Sequence, residues 1–317
     1  MSAPTALKVH DLSVAVGQVE AVHGVSFTLE QGRRTGLIGE SGSGKTVTAL
    51  AVMGLLPDGL SARGHVDYAG QDLLQMSEAR LCRLRGDRLG MVFQEPMSAL
   101  NPVMRVGHQV AEPLRLHRGL SRARAAEQAL ELLRRVQIPD PVEKMRAYPF
   151  QLSGGQRQRV MIAMAMACSP DLLIADEPTT ALDVTVQAQI LTLLNRLVDE
   201  EGATLLLITH DLPVVGQICD EVMVMYGGYL VEQGPRDDVF DRPRHPYTRG
   251  LIEAIPPLDE ELPDRRLRAI PGAVPGLGEF PAGCPFRNRC PRADRLCETM
   301  PLLTGDGHRV ACWHPFT

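Results

Sequence analysis

The sequence lacks a long hydrophobic run, a basic leader segment and a surplus of positive charge. A membrane-spanning helix needs about 18 apolar residues, and the richest apolar stretch, Val160 to Cys168, is roughly half as long. Met1 to His10 has no basic segment followed by an apolar one, as a secretory signal would. The formal net charge is −5, whereas a dedicated nucleic-acid binder usually has a basic surplus. We therefore expect a cytosolic chain that does not itself cross a membrane and has no nucleic-acid partner.

Length and composition indicate a globular chain of about two domains. The chain has 317 residues, and one domain takes roughly 150. Proline punctuates the start of residues 96–158, and Ser121 to Gln137 has helical spacing of apolar residues, so we predict a helical subdomain there. From about Asp237 proline and glycine become dense. We therefore predict one domain over residues 1–236 and an irregular extension, with little periodic structure, over 237–317.

One segment follows the phosphate-loop pattern of Gly, four residues, Gly-Lys and then Ser or Thr. Its residues are Gly39, Glu40, Ser41, Gly42, Ser43, Gly44, Lys45 and Thr46. The glycines let backbone N–H groups face inward, where side chains would clash. Lys45 can reach the β- and γ-phosphates of a nucleotide, and the Thr46 hydroxyl can bind Mg²⁺. A strand predicted over Arg34 to Ile38 and a helix over Val47 to Leu56, stopped at Pro57, supply the strand–loop–helix context; the alternative is a chance Gly/Ser-rich turn.

Further strands and helices alternate along the chain. Apolar runs predict strands at Leu89 to Phe93, Leu172 to Ala175 and Thr204 to Ile208, separated by helical patterns. This alternation predicts an α/β fold with a mostly parallel, doubly wound sheet, whose active edge lies at the carboxyl ends of the strands. Leu7 to Val16 and Val22 to Leu29 alternate apolar and polar residues, which predicts an antiparallel region beside the main sheet.

Polar residues follow three of these strands. Asp176 is placed to hold Mg²⁺, and Glu177 to polarise the attacking water as a general base. His210 can contact the γ-phosphate or orient Glu177, and the Gln94 amide can bind Mg²⁺ and contact the water. A capping Asp, a surface Glu or a buried structural His would explain each residue alone. Their shared position at strand ends, together with Lys45, favours ATP hydrolysis.

A second anion-binding design follows at Leu152 to Gln156. Ser153 is suited to cap the helix predicted over Arg157 to Ala167, and Gly154 and Gly155 leave backbone N–H groups bare at its start. One nucleotide rarely needs two phosphate sites from one chain. We therefore expect two subunits to face head to tail, each site combining the phosphate loop of one chain with the Ser-Gly-Gly turn of the other.

Together these motifs resemble the nucleotide-binding subunits of ATP-binding cassette (ABC) transporters over nearly the whole chain. The resemblance identifies Gln94 as the Q-loop, Leu152 to Gln156 as the signature, Leu172 to Glu177 as the Walker B strand, Ala181 to Asp183 as the D-loop and His210 as the switch histidine. It implies ATP and Mg²⁺ as cofactors and a P-loop NTPase fold. That fold has a RecA-like core with an antiparallel β subdomain and a helical subdomain. It also implies that Ser153, Gly154, Gly155, Gln156 and Asp183 contact nucleotide.

Several short sequence segments are similar to those of ATPases of bacterial oligopeptide/dipeptide permeases. The matching segments are Gly39 to Ser41, Phe93 to Pro102, Ala181 to Gln189 and His245 to Thr248. This resemblance implies a peripheral subunit on the cytoplasmic face of the membrane that drives peptide import. Its partners would be a second, paralogous ATPase, two membrane permeases that dock near Gln94 and the helical subdomain, and an extracytoplasmic binding protein. A metal chelate or a glycoside is the alternative solute.

Two positions depart from the family pattern. Many members stack adenine on an aromatic residue, but the corresponding place falls near Val16, and no aromatic is close to it in sequence. We therefore expect aliphatic contact from Val16 and Val22 with the base. Thr180 precedes the D-loop where Ser is common, and we expect this difference to matter little.

Four cysteines crowd the end of the chain, at Cys284, Cys290, Cys297 and Cys312. In a reducing cytosol this clustering favours metal over disulfides. Four thiolates can bind zinc or a [4Fe–4S] cluster, and cysteines that bind no metal are the third alternative. Structural zinc usually uses closer pairs than any found here. The resemblance also favours iron–sulfur, because related permease ATPases carry such a cluster. His308 and His314 are alternative ligands, although surface histidines are the simpler interpretation.

Three rival functions explain less of the sequence. A soluble ABC ATPase of repair or translation would usually carry two cassettes or a long coiled-coil insert. A small P-loop kinase leaves Leu152 to Gln156 and His210 unexplained. An iron–sulfur interaction module with a vestigial ATPase conflicts with the presence of Lys45, Glu177 and His210.

Overall fold

The computed structural model describes residues 4–180, 182–255 and 269–317. Ala181 of the predicted D-loop and residues 256–268 of the predicted extension lie outside this range. The chain divides into two compact units, and each is described separately, as far as its residues are described. Unit 1 comprises Met1–Leu7, Leu29–Arg33 and Tyr68–Ile208, and unit 2 comprises Lys8–Thr28, Arg34–Asp67 and Thr209–Thr317. The predicted boundary between residues 236 and 237 stays a prediction.

Strands and helices are interspersed along the described part of the chain. The strands are β1 Thr5–Val16, β2 Val19–Glu30, β3 Arg34–Ile38, β4 Leu60–Tyr68, β5 Gln71–Asp72, β6 Leu89–Val92, β7 Leu172–Asp176, β8 Thr204–Ile208, β9 Glu221–Tyr226, β10 Tyr229–Pro235 and β11 Arg309–Val310. The helices are α1 Lys45–Met53, α2 Glu78–Leu84, α3 Pro96–Ala99, α4 Val106–Arg118, α5 Arg122–Arg135, α6 Pro141–Lys144, α7 Gly154–Ala165, α8 Val184–Glu201, α9 Leu212–Ile218, α10 Arg236–Asp241 and α11 Pro246–Glu253.

Unit 1 contains three parallel strands in the order β6, β7, β8. Leu89 is paired with Leu172, and Leu172 with Thr204. Every residue of these strands is buried, as expected for parallel strands covered on both faces. The carboxyl ends of β6 and β7 therefore place Gln94 and Glu177 at the same edge.

The helices of unit 1 that follow β6 pack on one another. Ser121 caps the start of α5, and its hydroxyl accepts a hydrogen bond from the N–H of Arg124. The helices α4 and α5 pack together and against α7, which begins at the predicted signature. Of the residues described, none forms a helix with the length and apolar character needed to span a bilayer.

Unit 2 contains a second set of strands. The strand β3 is parallel to β9, β9 is antiparallel to β10, and β10 is antiparallel to β11. The pairing of Glu232 with Val310 joins the end of the chain to this set. In a separate sheet β1 lies between β2 and β4, with β1 and β4 antiparallel.

Two expectations about helices are wrong. The helix after the phosphate loop was predicted to run to Leu56, but α1 ends at Met53 because Gly54 adopts the left-handed conformation that terminates helices. The extension was predicted to hold little periodic structure, yet α10 and α11 lie within it. Each begins beside a proline, which suits the first turn of a helix even though it breaks a helix interior.

Candidate functional site

The phosphate loop in unit 2 has the backbone that its glycines permit. Gly39, Gly42 and Gly44 have φ of +152°, +79° and +100°, a region that favours glycine. A Cβ on Gly39 would overlap the carbonyl oxygen of Met225, and one on Gly44 would lie 3.1 Å from the carbonyl oxygen of Ala21. The close approach of β9 and β2 therefore fixes the shape of the loop.

Lys45 is buried within its own loop. Its Nζ donates to the carbonyl oxygens of Gly39 and Glu40 at 2.7 and 3.0 Å, and it lies 3.4 Å from the hydroxyl of Ser43. Gly44 is the N-cap of α1 and caps it with no side chain. The first turn of α1, which includes Thr46, is therefore suited to receive phosphate oxygens.

Glu40 connects this loop to the C-terminal part of unit 2. Its backbone N–H donates to the hydroxyl of Tyr247 at 2.7 Å, and its carboxylate accepts from Arg289 at 2.6 and 3.1 Å. The hydrogen bonds that Arg289 donates to the Glu40 carboxylate raise the pKa of Arg289 above its usual value, and burial raises the pKa of Tyr247. Neither Arg289 nor Tyr247 lies near the loop in the chain, so the sequence alone indicates no role for them there.

Unit 1 brings together two of the predicted catalytic residues. The Nε2 of Gln94 donates to Oε2 of Glu177 at 3.3 Å. The Thr180 hydroxyl donates to the same oxygen at 2.7 Å, a contact that the sequence analysis missed. Asp176, buried at the end of β7, directly precedes Glu177. Gln94, Asp176 and Glu177 thus lie at one edge of the strands of unit 1, as predicted, whereas His210 is an exposed residue of unit 2.

The predicted signature forms the start of α7. The Ser153 hydroxyl accepts from the N–H of Gln156 at 3.3 Å, and the Gln156 amide oxygen accepts from the N–H of Ser153 at 3.1 Å. This reciprocal capping leaves the N–H groups of Gly154 and Gly155 at an open helix end. Asp183 similarly caps α8 through the N–H of Val186 at 3.0 Å. Contact of these residues with nucleotide stays a prediction.

The aliphatic residues predicted to hold adenine differ in exposure. Val16 is 41% exposed at the end of β1, so it remains available to a ligand. Val22 is fully buried in β2 and packs toward Gly44, so the expectation that it contacts the base is wrong. Val19, at the start of β2, is an exposed alternative.

The four cysteines of the extension line one small cavity. The cavity lining comprises Cys284, Cys290, Cys297 and Cys312 with His245, Pro246, Phe286, Arg287, Arg292, Pro301, Trp313 and His314. The N–H of His314 donates to Sγ of Cys312 at 3.3 Å, and backbone N–H groups of Phe286 and Arg292 face the sulfurs of Cys284 and Cys290. N–H groups directed at sulfur favour thiolate ligands, so the donor set suits a thiophilic metal.

Burial opposes deprotonation of the free thiols, whereas the backbone N–H groups favour it. Burial raises the pKa of Cys284 to about 11, and it also raises the pKa of Cys290 and Cys312. A metal would offset this cost, because a coordinated thiol is deprotonated by the ion. A smaller group, in which ligand atoms of Asp294, Cys297 and His314 lie within 4.8 Å of one another, offers a mixed donor set at the same place.

Comparison with known proteins decides the family. The family model described as ABC transporter matches residues 22–180, and the model described as oligopeptide/dipeptide transporter, C-terminal region, matches residues 231–297. The chain belongs to the ABC transporter family. Membership makes it an ATPase. The roles predicted for the phosphate loop and for Glu177 in nucleotide binding and hydrolysis stay predictions.

Named relatives are similar over almost the whole chain. The chain is 50% identical over 304 residues to the probable D,D-dipeptide transport ATP-binding protein DdpD of Escherichia coli, covering 94% of this chain and 92% of that protein. It is 49% identical over 315 residues to the oligopeptide transport ATP-binding protein OppD of Salmonella typhimurium, covering 98% and 93%.

A solved structure shows the same fold. The dimeric, post-hydrolysis ATP-binding cassette MJ0796 bound to ADP and Pi matches with a TM-score of 0.64 and 28% identity, covering 73% of this chain and 98% of that one. The predicted α/β ABC cassette fold is therefore confirmed.

Proposed function

We propose that this ABC ATPase powers the import of peptides. The observation that carries the proposal is the match of residues 231–297 to the C-terminal region of oligopeptide/dipeptide transporters, a segment outside the ATPase motifs. The names of the relatives support it, because they are described as dipeptide and oligopeptide transport ATP-binding proteins. The subunit would sit on the cytoplasmic face of the membrane beside a second, paralogous ATPase and two permease subunits, supplied by an extracytoplasmic binding protein.

Within this proposal each motif has a chemical task. The phosphate loop and Lys45 would hold the β- and γ-phosphates. Thr46, Asp176 and Gln94 would hold Mg²⁺, and the bound ion would supply positive charge against the charge that develops on the phosphoryl group. Glu177 accepts a proton from the attacking water as general base. His210 contacts the γ-phosphate. The open end of α7 in the facing subunit, with Ser153, Gly154 and Gly155, completes the phosphate site.

The helices of unit 1 supply a surface for the permease. A cavity there is lined in part by Met104, Arg105, His108, Ala111, Glu112 and Arg115 of the loop before α4 and of α4 itself. Its mixture of apolar and charged side chains suits an amphipathic helix end from a membrane subunit. We propose that this groove receives the coupling helix of the permease, as predicted for the helical subdomain.

Uptake tests the function directly. The ATPase, its paralogue and the permeases are reconstituted in vesicles with the binding protein. The vesicles should hydrolyse ATP faster with di- or oligopeptide than without it, and they should accumulate the labelled peptide. A nickel chelate and a glycoside serve as competing solutes. Stimulation by one of them, with none by peptides, would reject peptide import while leaving the ABC ATPase intact.

The cysteine cavity is proposed to hold a [4Fe–4S] cluster on Cys284, Cys290, Cys297 and Cys312. When bound, the cluster would cross-link an extension that has little core of its own. The backbone N–H groups near the sulfurs support a thiolate-ligated group. Protein purified without oxygen should be brown and contain iron and sulfide in about equal amounts for a cubane cluster. Colourless protein with stoichiometric zinc would overturn this assignment in favour of zinc.

A further inference from the structure

Glu40 puts a carboxylate inside the loop that must bind a polyphosphate. Its side chain is only 28% exposed, so water screens its charge incompletely. A nucleotide brings several negative charges to the same loop, and like charges repel more strongly where water is excluded. An unpaired carboxylate at this position would therefore oppose the binding that the loop exists to provide.

Arg289 of the C-terminal extension pairs with this carboxylate. Its Nη1 donates to Oε2 of Glu40 at 2.6 Å, and its Nη2 donates to Oε1 at 3.1 Å. This two-pronged geometry is the strong form of an Arg–carboxylate pair. The Arg289 side chain is only 6% exposed, so the charge of Glu40 is balanced within the protein and not by solvent.

Both partners are also held by other groups of unit 2. The Nε of Arg289 donates to the carbonyl oxygen of Pro271 at 2.9 Å, and its Nη1 lies 3.2 Å from the hydroxyl of Tyr226. The Tyr247 hydroxyl accepts the backbone N–H of Glu40 at 2.7 Å. The side chain and the main chain of Glu40 are thus fixed by residues from beyond the phosphate loop, and such fixing favours binding because less order must be gained when the ligand arrives.

We propose that Arg289 is a positioning residue for nucleotide binding, which cancels the charge of Glu40 and holds the phosphate loop in its binding conformation. The extension then contributes to nucleotide binding through Arg289. Arg289 directly precedes Cys290, so the segment that gathers the cysteines also delivers the guanidinium to the loop. This role concerns ATP binding and does not depend on which solute is transported.

A double-mutant cycle on the intact chain tests the pairing. The affinities for ADP and for a non-hydrolysable ATP analogue are measured by calorimetric titration in wild type, Arg289→Met, Glu40→Gln and the double variant. Arg289→Met should raise the Kd by roughly tenfold or more, because it leaves the partly buried Glu40 carboxylate without its partner. In the Glu40→Gln background the same substitution should change the Kd by less than about threefold, because no carboxylate remains to balance.

Salt and a matched control separate this role from a purely structural one. Added salt should reduce the difference in nucleotide Kd between Arg289→Met and wild type, because it screens the unpaired Glu40 carboxylate. Arg295→Met removes an exposed arginine of the same extension and should bind nucleotide like wild type. Thermal unfolding of each variant checks that it is folded.

Two results would overturn the proposal. One is wild-type affinity in Arg289→Met; the other is an equal loss of affinity with and without the Glu40 carboxylate, which would mean that Arg289 only supports the fold. Should Arg289→Met fail to fold, Arg289→Lys enters the same cycle. Lysine keeps the positive charge but cannot form the bidentate pair, so Arg289→Lys should lower the nucleotide affinity by about threefold. This smaller loss of affinity should also vanish in the Glu40→Gln background.

Discussion

Glu177 is held in an unusual conformation for a residue with a side chain. Its φ is +44°, in the left-handed region, and its N–H donates to the carbonyl oxygen of Ile208 at 2.8 Å. A non-glycine residue in this region carries a conformational cost, which the surrounding structure must offset. Here the turn directs the carboxylate toward Gln94 and Thr180, at the edge where the attacking water is expected.

Replacing Glu177 by Gln tests its role as general base. The amide keeps the size of the side chain but cannot take a proton from water, so turnover should fall by about 100-fold or more while ATP still binds. Steady-state phosphate release and nucleotide titration measure the two properties separately. Unchanged turnover would remove Glu177 as the base.

Thr180 has a larger expected role than the sequence analysis gave it. Its hydroxyl donates to Glu177 at 2.7 Å, and hydrogen bonds to charged groups contribute about 1.5–3 kcal/mol. Thr180→Val should therefore lower kcat about tenfold or more with little change in the Kd for ATP. Thr180→Ser keeps the hydroxyl and should retain the wild-type rate. A Val variant that turns over normally would make the contact irrelevant to hydrolysis.

The residues that form local motifs could be predicted, and the long-range partners could not. Gln94 and Glu177 each follow a strand of the same parallel set, so their meeting was predictable from strand order alone. Arg289 and Glu40 are separated by 249 positions, and no periodicity or spacing connects them. Thr180 lies near Glu177 in sequence, but only the positive φ of Glu177 shows that their side chains meet.

At the scale of elements, β10 anchors the extension through a buried carboxylate. Glu232 accepts from the N–H groups of Arg244 and His245 at 2.7 and 2.8 Å, and its Oε1 lies 2.7 Å from Nε2 of His308. Burial lowers the pKa of His245 to about 3, so its Nδ1 is neutral and accepts from the N–H of Tyr247 at 3.0 Å. One side chain thus joins the segment before α11 to the segment before β11.

Replacing Glu232 by Gln should loosen the whole extension. The amide cannot accept from all three donors, and leaving a buried polar group unpaired costs about 1–3 kcal/mol, with more for charged groups. We expect a lower free energy of unfolding and faster proteolysis in the extension. Glu298→Gln, on an exposed residue nearby, is the control. Equal protease resistance in both variants would show that the Glu232 network does not hold the extension.

Elements with strong periodicity were predictable, and those set by tertiary contacts were not. The predicted β3 and β8 match the structure at both ends, because continuous apolar runs mark buried parallel strands. Proline density hid α10 and α11, since a proline at a helix start reads in sequence as a breaker.

At the scale of the whole molecule, the proposed function requires a second copy of the nucleotide-binding fold. The start of α7 leaves N–H groups of Gly154 and Gly155 at an open helix end, which is an anion-binding feature within unit 1. The similar cassette MJ0796 is described as dimeric in its structure with ADP and Pi. A facing subunit would give this helix end a phosphate to bind, so ATP would act as a bridge between two chains.

The bridge predicts an ATP-dependent dimer that two substitutions control in opposite directions. Glu177→Gln should accumulate a closed dimer with MgATP, because hydrolysis no longer opens it. Light scattering after size-exclusion chromatography should show twice the monomer mass. The paralogue is added to the sample if the dimer is mixed. Adding Ser153→Arg puts a bulky side chain at the helix end that is proposed to face the γ-phosphate of the other subunit. Dimerisation should then be lost while each monomer still binds ATP through its own phosphate loop. A dimer that persists in the Ser153→Arg variant would mean that the helix end takes no part in the nucleotide interface.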